Sequence, residues 1–411
     1  SLAVAGGLAA YEVGTADVGL ATAGRSARAQ DPGTTLTNPA GMSRLAGTQI
    51  QGALQVGNAS MNFSSDAGTS PGLGTENGGN PVGWIPGGGF FATHQISPDI
   101  TVGFATAGTF GLGLSYSDDW VGRYRGQEAV LIGASLLPSV AYKVSDKLSV
   151  GASLNVMYGK LKMQTAVNNI RPDYSDGQLK VDDHEWGVGV NLGLLYEIDP
   201  ATRLGLIYNS KVDLDYSAKP RFSGLAPGLE RLRQVRTGGN GTLDLGIEVP
   251  QAIEASLFHQ FNEKWAVLGS VGWQEWSKFG YVNVSVDNTN NPRDLTTDLD
   301  FKNTWHGAVG AQYHLSEPTV LNFGVAYDSG FQRGDKANLL LPSNATWRYG
   351  VGMQKQEDKS FEWGLGAVYL YGSTVDINMQ GTSPALGGRG SVVGSYDPRV
   401  YFLSANFIWK Y

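Results

Sequence analysis

The last thirteen residues, Arg399–Tyr411, alternate strictly between two kinds of side chain. On one face every side chain is apolar or aromatic: Tyr401, Leu403, Ala405, Phe407, Trp409 and Tyr411. The other face is mixed: Phe402, Ser404, Asn406, Ile408 and Lys410. Because successive side chains of a β-strand point to opposite faces, this pattern predicts a strand with one face in hydrocarbon. An apolar face that ends on aromatic residues is typical of the last strand of a bacterial outer-membrane barrel.

The composition is compatible with a membrane barrel, although hydropathy alone would indicate a soluble protein. Hydrophobic residues make up 41% of the 411 residues, but no stretch approaches the roughly 20 consecutive apolar residues of a membrane helix. Barrels escape this test because their apolar and polar residues alternate. The 57 glycines are about twice the usual share, and we expect some of them inside strands, where a missing side chain leaves room in the lumen.

Composition and motifs argue against several other classes of function. There is no cysteine, so disulfides and thiolate metal sites are impossible, and the net charge of −7 argues against a nucleic-acid partner. The five histidines show neither an H-E-x-x-H motif nor close ligand spacing, and no G-x-S-x-G elbow occurs. We therefore expect no metal, no cofactor and no catalytic residues. An outer-membrane lipase that uses His259 as its base is the enzyme alternative.

The order of turns and loops predicts the number of strands. Six short turns use the residue types that tight turns favour: Ser97–Asp99, Ser145–Lys147, Asp199–Ala201, Asn262–Lys264, Ser316–Pro318 and Gln356–Lys359. Seven longer loops interleave with them: 66–86, 112–128, 166–183, 218–240, 287–298, 334–344 and 380–396. Thirteen connections predict an all-β fold, a 14-stranded antiparallel transmembrane barrel with short turns on one rim and long loops on the other. A large soluble sandwich also alternates and is the alternative fold.

The first 46 residues do not alternate. They are rich in alanine and glycine, and they are predicted to form short helical pieces and loops. Their low charge and small apolar side chains favour a plug packed in the lumen over a disordered tail. We therefore predict two parts, an N-terminal hatch at residues 1–46 and the transmembrane barrel at residues 47–411.

Several segments are similar to one known family. Asp31–Met42, which contains the triplet Asn38-Pro39-Ala40, resembles the end of the hatch in the FadL/TodX family. Three strand segments resemble the family as well: Val102–Leu112, Trp186–Tyr196 and Trp273–Phe279. The resemblance implies a 14-stranded barrel plugged by its own N-terminal hatch, in the outer membrane of a Gram-negative bacterium. It also implies passive import of long-chain fatty acids or of aromatic and aliphatic hydrocarbons.

The resemblance assigns roles to residues of the hatch and of the third strand. Asn38, Pro39 and Ala40 would fix the hatch, the alternative being a plain turn. A kink in the third strand would open the wall sideways into the bilayer at four residues: Gly108, Phe110, Gly111 and Gly113. Glycine permits such a bend or bulge, although ordinary strand glycines are the alternative. The family's first hatch residues reach a deeper pocket, here Ser1, Leu2 and Val4, unless this terminus is frayed.

The outer loops and the fifth strand bear on the choice of ligand. Leu225, Leu229 and Leu232 recur at helical spacing, and Arg231 and Arg233 add charge. A helix here could form a wall of an outer capture groove and meet lipopolysaccharide phosphates or a fatty carboxylate, or it could simply pack on the barrel mouth.

Fatty-acid-binding members of the family place an arginine high on the inner face of the fifth strand, where this sequence has Thr165. A neutral hydrocarbon ligand therefore remains open. We expect a monomer that contacts outer-membrane lipid and lipopolysaccharide, binds a hydrophobic small molecule and opens when the ligand is bound. A general diffusion porin is the closest alternative function.

Overall fold

The chain folds into a closed β-barrel in a computed structural model, which describes Tyr11 and residues 13–171, 173–237, 241–279, 281–287, 293–294, 297–316 and 318–411. Fourteen strands of these residues form the wall. They are β1 (Thr48–Ser60), β2 (Gly83–Gln95), β3 (Ile100–Ser115), β4 (Glu128–Lys143), β5 (Leu148–Val167), β6 (Gly177–Asp199), β7 (Thr202–Asn209), β8 (Ala252–Gln260), β9 (Trp265–Gln274), β10 (Thr304–Ser316), β11 (Thr319–Asp328), β12 (Thr346–Gln356), β13 (Phe361–Gly372) and β14 (Arg399–Lys410).

Each strand pairs antiparallel with the next one along the chain, and β14 closes the ring by pairing with β1. The closing ladder runs from Gln49 opposite Lys410 to Ser60 opposite Arg399. The predicted 14-stranded antiparallel barrel is confirmed, and each of the six short turns lies between two consecutive strands. None of the helices in the described residues combines the length and the apolar character needed to cross a bilayer.

The side chains of the last strand show how the wall divides its two environments. Tyr401 and Leu403 are 56% and 62% exposed, whereas Phe402 and Asn406 are each 1% exposed. Large apolar side chains point outward on other strands too, among them Leu54, Trp186 and Val309. Soluble monomers rarely expose so large an apolar surface. The outer face is therefore suited to lipid, and the inner face packs on protein.

The strands on the long-loop rim reach further than the loop pattern predicts. Residues 166–183 were predicted to be a loop, but β5 and β6 continue as a hairpin up to the pair Val167–Gly177. The predicted bounds are wrong because Gln178, Lys180 and Asp182, polar residues that favour a loop, are paired with β5, and only the residues between Val167 and Gly177 connect the two strands. Three further strands, Val212–Ala218, Thr242–Val249 and Tyr281–Asp287, belong to a separate five-stranded sheet in the same region, which we call the upper sheet.

Residues 13–46, which we call the hatch segment, contact the inner faces of strands on all sides of the barrel. They form four short helices: Ala16–Val18, Arg25–Arg28, Thr34–Thr37 and Pro39–Arg44. Glycines of the wall make room for this backbone. Gly310, Gly324 and Gly350 are lateral neighbours on β10, β11 and β12, and a Cβ atom on Gly324 would lie 1.9 Å from the carbonyl oxygen of Leu20.

Candidate functional site

The Asn38-Pro39-Ala40 triplet lies against β5 and β6. The Asn38 Nδ2 group donates to the carbonyl oxygens of Ser26 and Leu194, at 2.7 and 3.0 Å, and its Oδ1 atom accepts from the Ala40 backbone N–H. Pro39 opens the helix Pro39–Arg44, where its missing N–H costs no hydrogen bond. One buried amide therefore joins two turns of the hatch segment to the barrel wall.

Replacing Asn38 with alanine is expected to loosen the hatch segment. The change leaves up to three buried backbone groups unpaired, each at a cost of about 1–3 kcal/mol. We expect faster proteolysis within residues 13–46 of the folded barrel and a higher ion conductance in planar bilayers. Asn62→Ala, in an exposed loop, is the matched control. Equal proteolysis and conductance for both variants would contradict this role.

A bulge interrupts the inward–outward alternation of β3. Gly108 pairs with Ala134 and Phe110 pairs with Gly133, so Thr109 is an extra residue in this strand. Below the bulge the even-numbered Phe104 is exposed, but above it the even-numbered Phe110 is buried. A bulge of one residue reverses the faces in this way and bends the strand.

Two backbone features accompany the bulge. Gly111 has a φ of +147°, a conformation that favours glycine, and a Cβ atom there would lie 2.5 Å from the carbonyl oxygen of Leu131. Gly113 continues the ladder with β4, opposite Val130. The structure therefore brings the four residues assigned to the kink together in one irregular stretch of β3.

The backbone pairing between β2 and β3 stops above the bulge. Their ladder ends at the pair Gly89–Ala107, although β2 stays paired with β1 as far as Gly83 and β3 stays paired with β4 as far as Ser115. At the upper end the Ser115 N–H donates to the carbonyl oxygen of Pro81 at 2.8 Å. We call the unpaired stretch between these two contacts the lateral window.

The β2 side of the lateral window contains a signal that the sequence reasoning missed. Residues 85–89 read Ile-Pro-Gly-Gly-Gly, and Pro86 has no backbone N–H to donate to β3. Proline inside a strand is confined to edges and bulges, so this run predicts a local strand edge. The predicted loop 66–86 covered Pro86 and therefore concealed the signal.

A cavity lies inside the barrel next to the bulge. Its volume is about 130 Å³, many times the roughly 10–15 Å³ that one water molecule requires, so it is not a packing defect. Its apolar lining comes from the hatch segment, the wall and the upper sheet: Leu36, Phe110, Leu137, Met157, Val212, Val249, Pro250, Ala252 and Trp276. Because Thr109 and Phe110 also line it, the cavity reaches the edge of the lateral window.

Aromatic rings cover the cavity on the side of the long loops. Trp276 stacks on Phe110 at 6.2 Å between ring centroids and on Phe331 at 5.3 Å. Phe279 and Phe301 extend the cluster. Such rings contribute large apolar area with little loss of side-chain entropy, as a pocket for apolar solutes requires. The sequence reasoning missed this cluster, because Phe110, Phe301 and Phe331 lie far along the chain from the short helix Trp276–Phe279.

The polar part of the lining lies at one height of the barrel. Asn191, Asn209, Ala252 and Gln274 are successive lateral partners on β6, β7, β8 and β9. The Oδ1 atoms of Asn155 and Asn191 are buried without a hydrogen-bond partner in the described part of the chain. The cavity therefore offers two amide oxygens that neither the hatch segment nor the wall satisfies.

Tyr11 and Arg25 line the same cavity from the hatch side. The Tyr11 hydroxyl accepts a hydrogen bond from Gln274 Nε2 at 2.6 Å, and Gln274 Oε1 accepts from Trp276 Nε1 at 2.7 Å. The Arg25 guanidinium carbon lies 5.0 Å from the Tyr11 ring centroid. These contacts connect the hatch to the aromatic cluster.

The residues predicted for the outer loop lie on the helix Pro227–Thr237 and just before it. Leu225 packs on the backbone of Gly177 in the β6 hairpin, but Leu232 is 51% exposed. Arg231 is exposed as well. Of the three predicted leucines, the structure therefore places Leu225 against the hairpin of β5 and β6 and leaves Leu232 facing outward.

Charge on this helix is partly paired. Arg233 donates two hydrogen bonds to Glu230, at 3.0 and 2.6 Å, and these bonds lower the pKa of the Glu230 carboxyl. Leu229 is half-buried. A capture groove at this helix remains a prediction.

Other predicted positions lie apart from the cavity. Thr165 is half-buried near the top of β5 and is not part of the cavity lining. Ser1, Leu2 and Val4, which were predicted to reach a deeper pocket, lie outside the described residues. Among the described residues, no group of three or more histidine, aspartate or glutamate side chains is arranged to hold a metal ion.

Comparison with known proteins identifies the family. Over residues 1–411 the sequence matches the family described as outer membrane protein transport protein (OMPP1/FadL/TodX). The chain belongs to this family. The OMPP1/FadL/TodX proteins are transport proteins of the outer membrane of Gram-negative bacteria rather than enzymes, and the predicted family, localisation and absence of enzyme activity are confirmed.

Relatives within the family are similar along most of their length. Outer membrane protein P1 of Haemophilus influenzae is 28% identical over 405 residues, which cover 89% of this chain and 85% of that protein. The long-chain fatty acid transport protein of Escherichia coli (strain K12) is 24% identical over 404 residues, covering 89% of this chain and 88% of that protein.

Solved structures share the fold. A FadL homologue of Pseudomonas aeruginosa superposes with a TM-score of 0.86 at 19% identity, covering 98% of this chain and 99% of that chain. The toluene transporter TodX of Pseudomonas putida superposes with a TM-score of 0.73 at 18% identity, covering 96% and 97% of the two chains. At these identities the superpositions support the architecture alone.

Proposed function

We propose that this chain takes up hydrophobic small molecules passively across the outer membrane and releases them sideways through the lateral window. The cavity beside the window is the observation that carries the proposal, because Phe110 belongs both to the cavity lining and to the bulged strand. Relatives named for fatty acid and toluene transport are consistent with an apolar cargo.

Water opposes the release of an apolar solute into the lumen. Apolar surface gains about 25 cal/mol per Å² when it leaves water, so an apolar solute enters an aromatic cavity readily but leaves it poorly into an aqueous lumen. The hatch segment, residues 13–46, packs against the inner faces of the strands, and we infer that it blocks that lumen. A gap in the wall offers an exit from the cavity directly into hydrocarbon. Passage then follows the concentration gradient and needs no energy source.

Replacing Gly111 with valine tests the sideways exit. Valine at a φ of +147° is strained by about 1–3 kcal/mol, which lowers the population of the bulged form about 5- to 150-fold relative to a regular strand. We expect uptake of a radiolabelled long-chain fatty acid or alkane by cells to fall at least about fivefold, with the barrel still folded, since valine favours strands.

Gly52→Val is the matched control for this experiment. Gly52 lies in the regular strand β1, and a Cβ atom there would meet nothing within 4 Å. Uptake by this variant should equal that of the wild type. If Gly111→Val cells take up both probes at the wild-type rate, the exit does not use the lateral window. A large steady conductance of the purified wild type would instead indicate a diffusion porin.

A further inference from the structure

We propose that lipopolysaccharide binds through its phosphate groups to a patch of basic residues on the outer surface of the barrel. The patch lies on β5, on β6 and on the short strand Arg221–Ser223 beside β6. Its four residues, which we call the basic ladder, are Lys160, Lys162, Lys180 and Arg221. They are distinct from Arg231 and Arg233 of the helix Pro227–Thr237, which were predicted to meet such phosphates. The inference concerns the outer wall and does not depend on the cargo of the cavity.

The apolar outer face of β5 and β6 ends at one pair of aromatic rings. Tyr158 and Trp186 are lateral partners, and their ring centroids lie 5.2 Å apart. From Trp186 towards the short turn, the outward side chains of β6 are apolar or aromatic: Val188, Val190, Leu192, Leu194 and Tyr196. The stretch Trp186–Tyr196 has the length with which a tilted strand crosses a bilayer, about 9–11 residues. Aromatic girdles lie at the two interfaces of such barrels, so Tyr158 and Trp186 mark the interface on the long-loop side.

The basic ladder begins directly beyond this interface. Lys160 and Lys162 follow Tyr158 on the outward face of β5, because strand residues two apart share a face. Lys160 lies opposite His184 of β6, and both are exposed. At about 3.3 Å per residue, Lys160 lies about 7 Å beyond Tyr158 along the strand. Its long side chain can therefore reach charged groups at the lipid surface while its stem stays on the apolar wall.

The far end of the basic ladder places two cations side by side. Lys180 of β6 is the lateral partner of Gln164 on one side and of Arg221 on the other. Lateral partners point their side chains to the same face of a sheet, and like charges directly opposite each other destabilise it. An anion bound between Lys180 and Arg221 removes this repulsion. The pair is therefore a site that a bound phosphate stabilises.

The charge of the basic ladder is only partly balanced by the protein. Lys162 pairs with Glu128 of β4 at 2.5 Å. In the part of the chain that the structure describes, the side chains of the other three residues make no ion pair or hydrogen bond. With Asp182, which also faces outward, the patch has four cations against two carboxylates. It is therefore locally positive on a chain whose net charge is −7, and it attracts anions.

The spacing of the basic ladder favours lipopolysaccharide over a phospholipid. Gln164, the lateral partner of Lys180, lies about 13 Å beyond Lys160 along the strand. A phospholipid with one phosphate reaches only one end of this distance. Lipopolysaccharide carries several phosphates on one sugar head group, and it forms the outer leaflet, on the side of the long loops. Lysine and arginine donate charge-assisted hydrogen bonds to phosphate oxygens, so each end of the ladder can hold one phosphate.

The basic ladder also flanks the lateral window. Gly111 of β3 pairs with Ile132 of β4, which in turn pairs with Lys160 of β5. Neighbouring strands lie about 4.8 Å apart, so the Lys160 backbone is about 10 Å from that of Gly111. A lipid whose phosphate is held at Lys160 therefore places its acyl chains on the wall beside the window.

The experiment compares three lipids on the full-length protein in detergent, with affinities taken from a titration followed by native mass spectrometry. The lipids are lipid A with two phosphates, which is the membrane anchor of lipopolysaccharide, the same lipid A without its phosphates, and phosphatidylglycerol. We expect the wild type to bind the diphosphorylated lipid A at least about tenfold more tightly than either other lipid. The first comparison isolates the phosphates, and the second tests an anionic lipid with a single phosphate.

Neutralising the basic ladder should remove this preference. The triple variant Lys160→Gln, Lys180→Gln and Arg221→Gln changes three side chains beyond the hydrocarbon, so the barrel keeps its fold. Each basic residue near a charged lipid surface contributes about fivefold in affinity, and we expect binding of the diphosphorylated lipid A to weaken about 10- to 100-fold. The affinity for lipid A without phosphates should stay within about twofold.

The matched control removes the same number of cations from the opposite rim. Lys147→Gln, Lys264→Gln and Lys359→Gln, combined in one variant, lie in exposed short turns and should leave all three affinities unchanged. Equal wild-type affinities for lipid A with and without phosphates would overturn the proposal. An equal loss in the control variant would also overturn it, since net charge alone would then explain the binding. Phosphatidylglycerol bound as tightly as diphosphorylated lipid A would replace it with a general anionic-lipid surface.

Discussion

Arg28→Met should detach the hatch segment from the barrel while the barrel itself stays folded. Arg28 is buried, its Nε atom lies 3.0 Å from Asp17 Oδ1, and its Nη1 atom lies 2.6 Å from Asp31 Oδ2. Removing the cation leaves two buried carboxylates without their partner, and breaking a buried pair in this way costs about 3–5 kcal/mol. That exceeds what the short helices of the hatch segment can offset by their local hydrogen bonds, since isolated short helices are marginal in water.

The measurements for Arg28→Met are ion conductance in planar bilayers and hydrogen exchange of residues 13–46. Both should rise, whereas the hydrogen exchange of the barrel strands should stay slow. Arg44→Gln is the matched control, because its exposed ion pair is worth only about 0–1 kcal/mol. A triple variant that adds Asp17→Asn and Asp31→Asn removes the unpaired charges and should regain part of the loss. If the triple variant were no better than Arg28→Met, charge would not be the cause.

Gly324→Val is expected to displace the hatch segment by a different physical effect. A Cβ atom on Gly324 would lie 1.9 Å from the carbonyl oxygen of Leu20 and 2.0 Å from its carbonyl carbon. Both are backbone atoms, so no side-chain rotation relieves the overlap, and the cost exceeds the roughly 1–3 kcal/mol of ordinary overpacking. Valine is compatible with a β-strand, so the wall can keep its conformation. The hatch segment must therefore move to relieve the overlap.

The same two measurements apply to Gly324→Val. Gly307→Val is its control, because Gly307 lies on the adjacent strand β10 and a Cβ atom there meets nothing within 4 Å. We expect high conductance and fast exchange of the hatch segment for the first variant and wild-type behaviour for the second. Wild-type conductance of Gly324→Val would show that the hatch segment does not need the glycine row on β10 to β12.

The barrel was predictable because its signal is local. The alternation that separates Tyr401 and Leu403 from Phe402 and Asn406 follows from the geometry of a single strand. Turn residues such as Ser97–Asp99 mark strand ends by their own backbone preferences. Together these signals fix the number of strands, their direction and their lipid-facing side, and the structure agrees with each of them.

The candidate site was predictable only in part. The glycines around Gly111 indicated an irregular third strand, because glycine alone adopts its backbone conformation without strain. Pro86 in the facing strand β2 was an equally local signal of a strand edge. The sequence analysis missed it because it assigned Pro86 to a loop. Arg25, however, is an ordinary basic residue in the sequence, and nothing near it in the chain indicates that it lines a cavity.

The sequence alone thus determined a membrane wall of fourteen strands and a segment that does not belong to the wall. Only the tertiary structure decided which residues face each other inside it. Asn38 meets Leu194, and Leu20 meets Gly324, across separations that no local pattern encodes. The cavity arises in the same way, since closing the barrel brings Arg25, Asn191 and Trp276 from distant parts of the chain to one place.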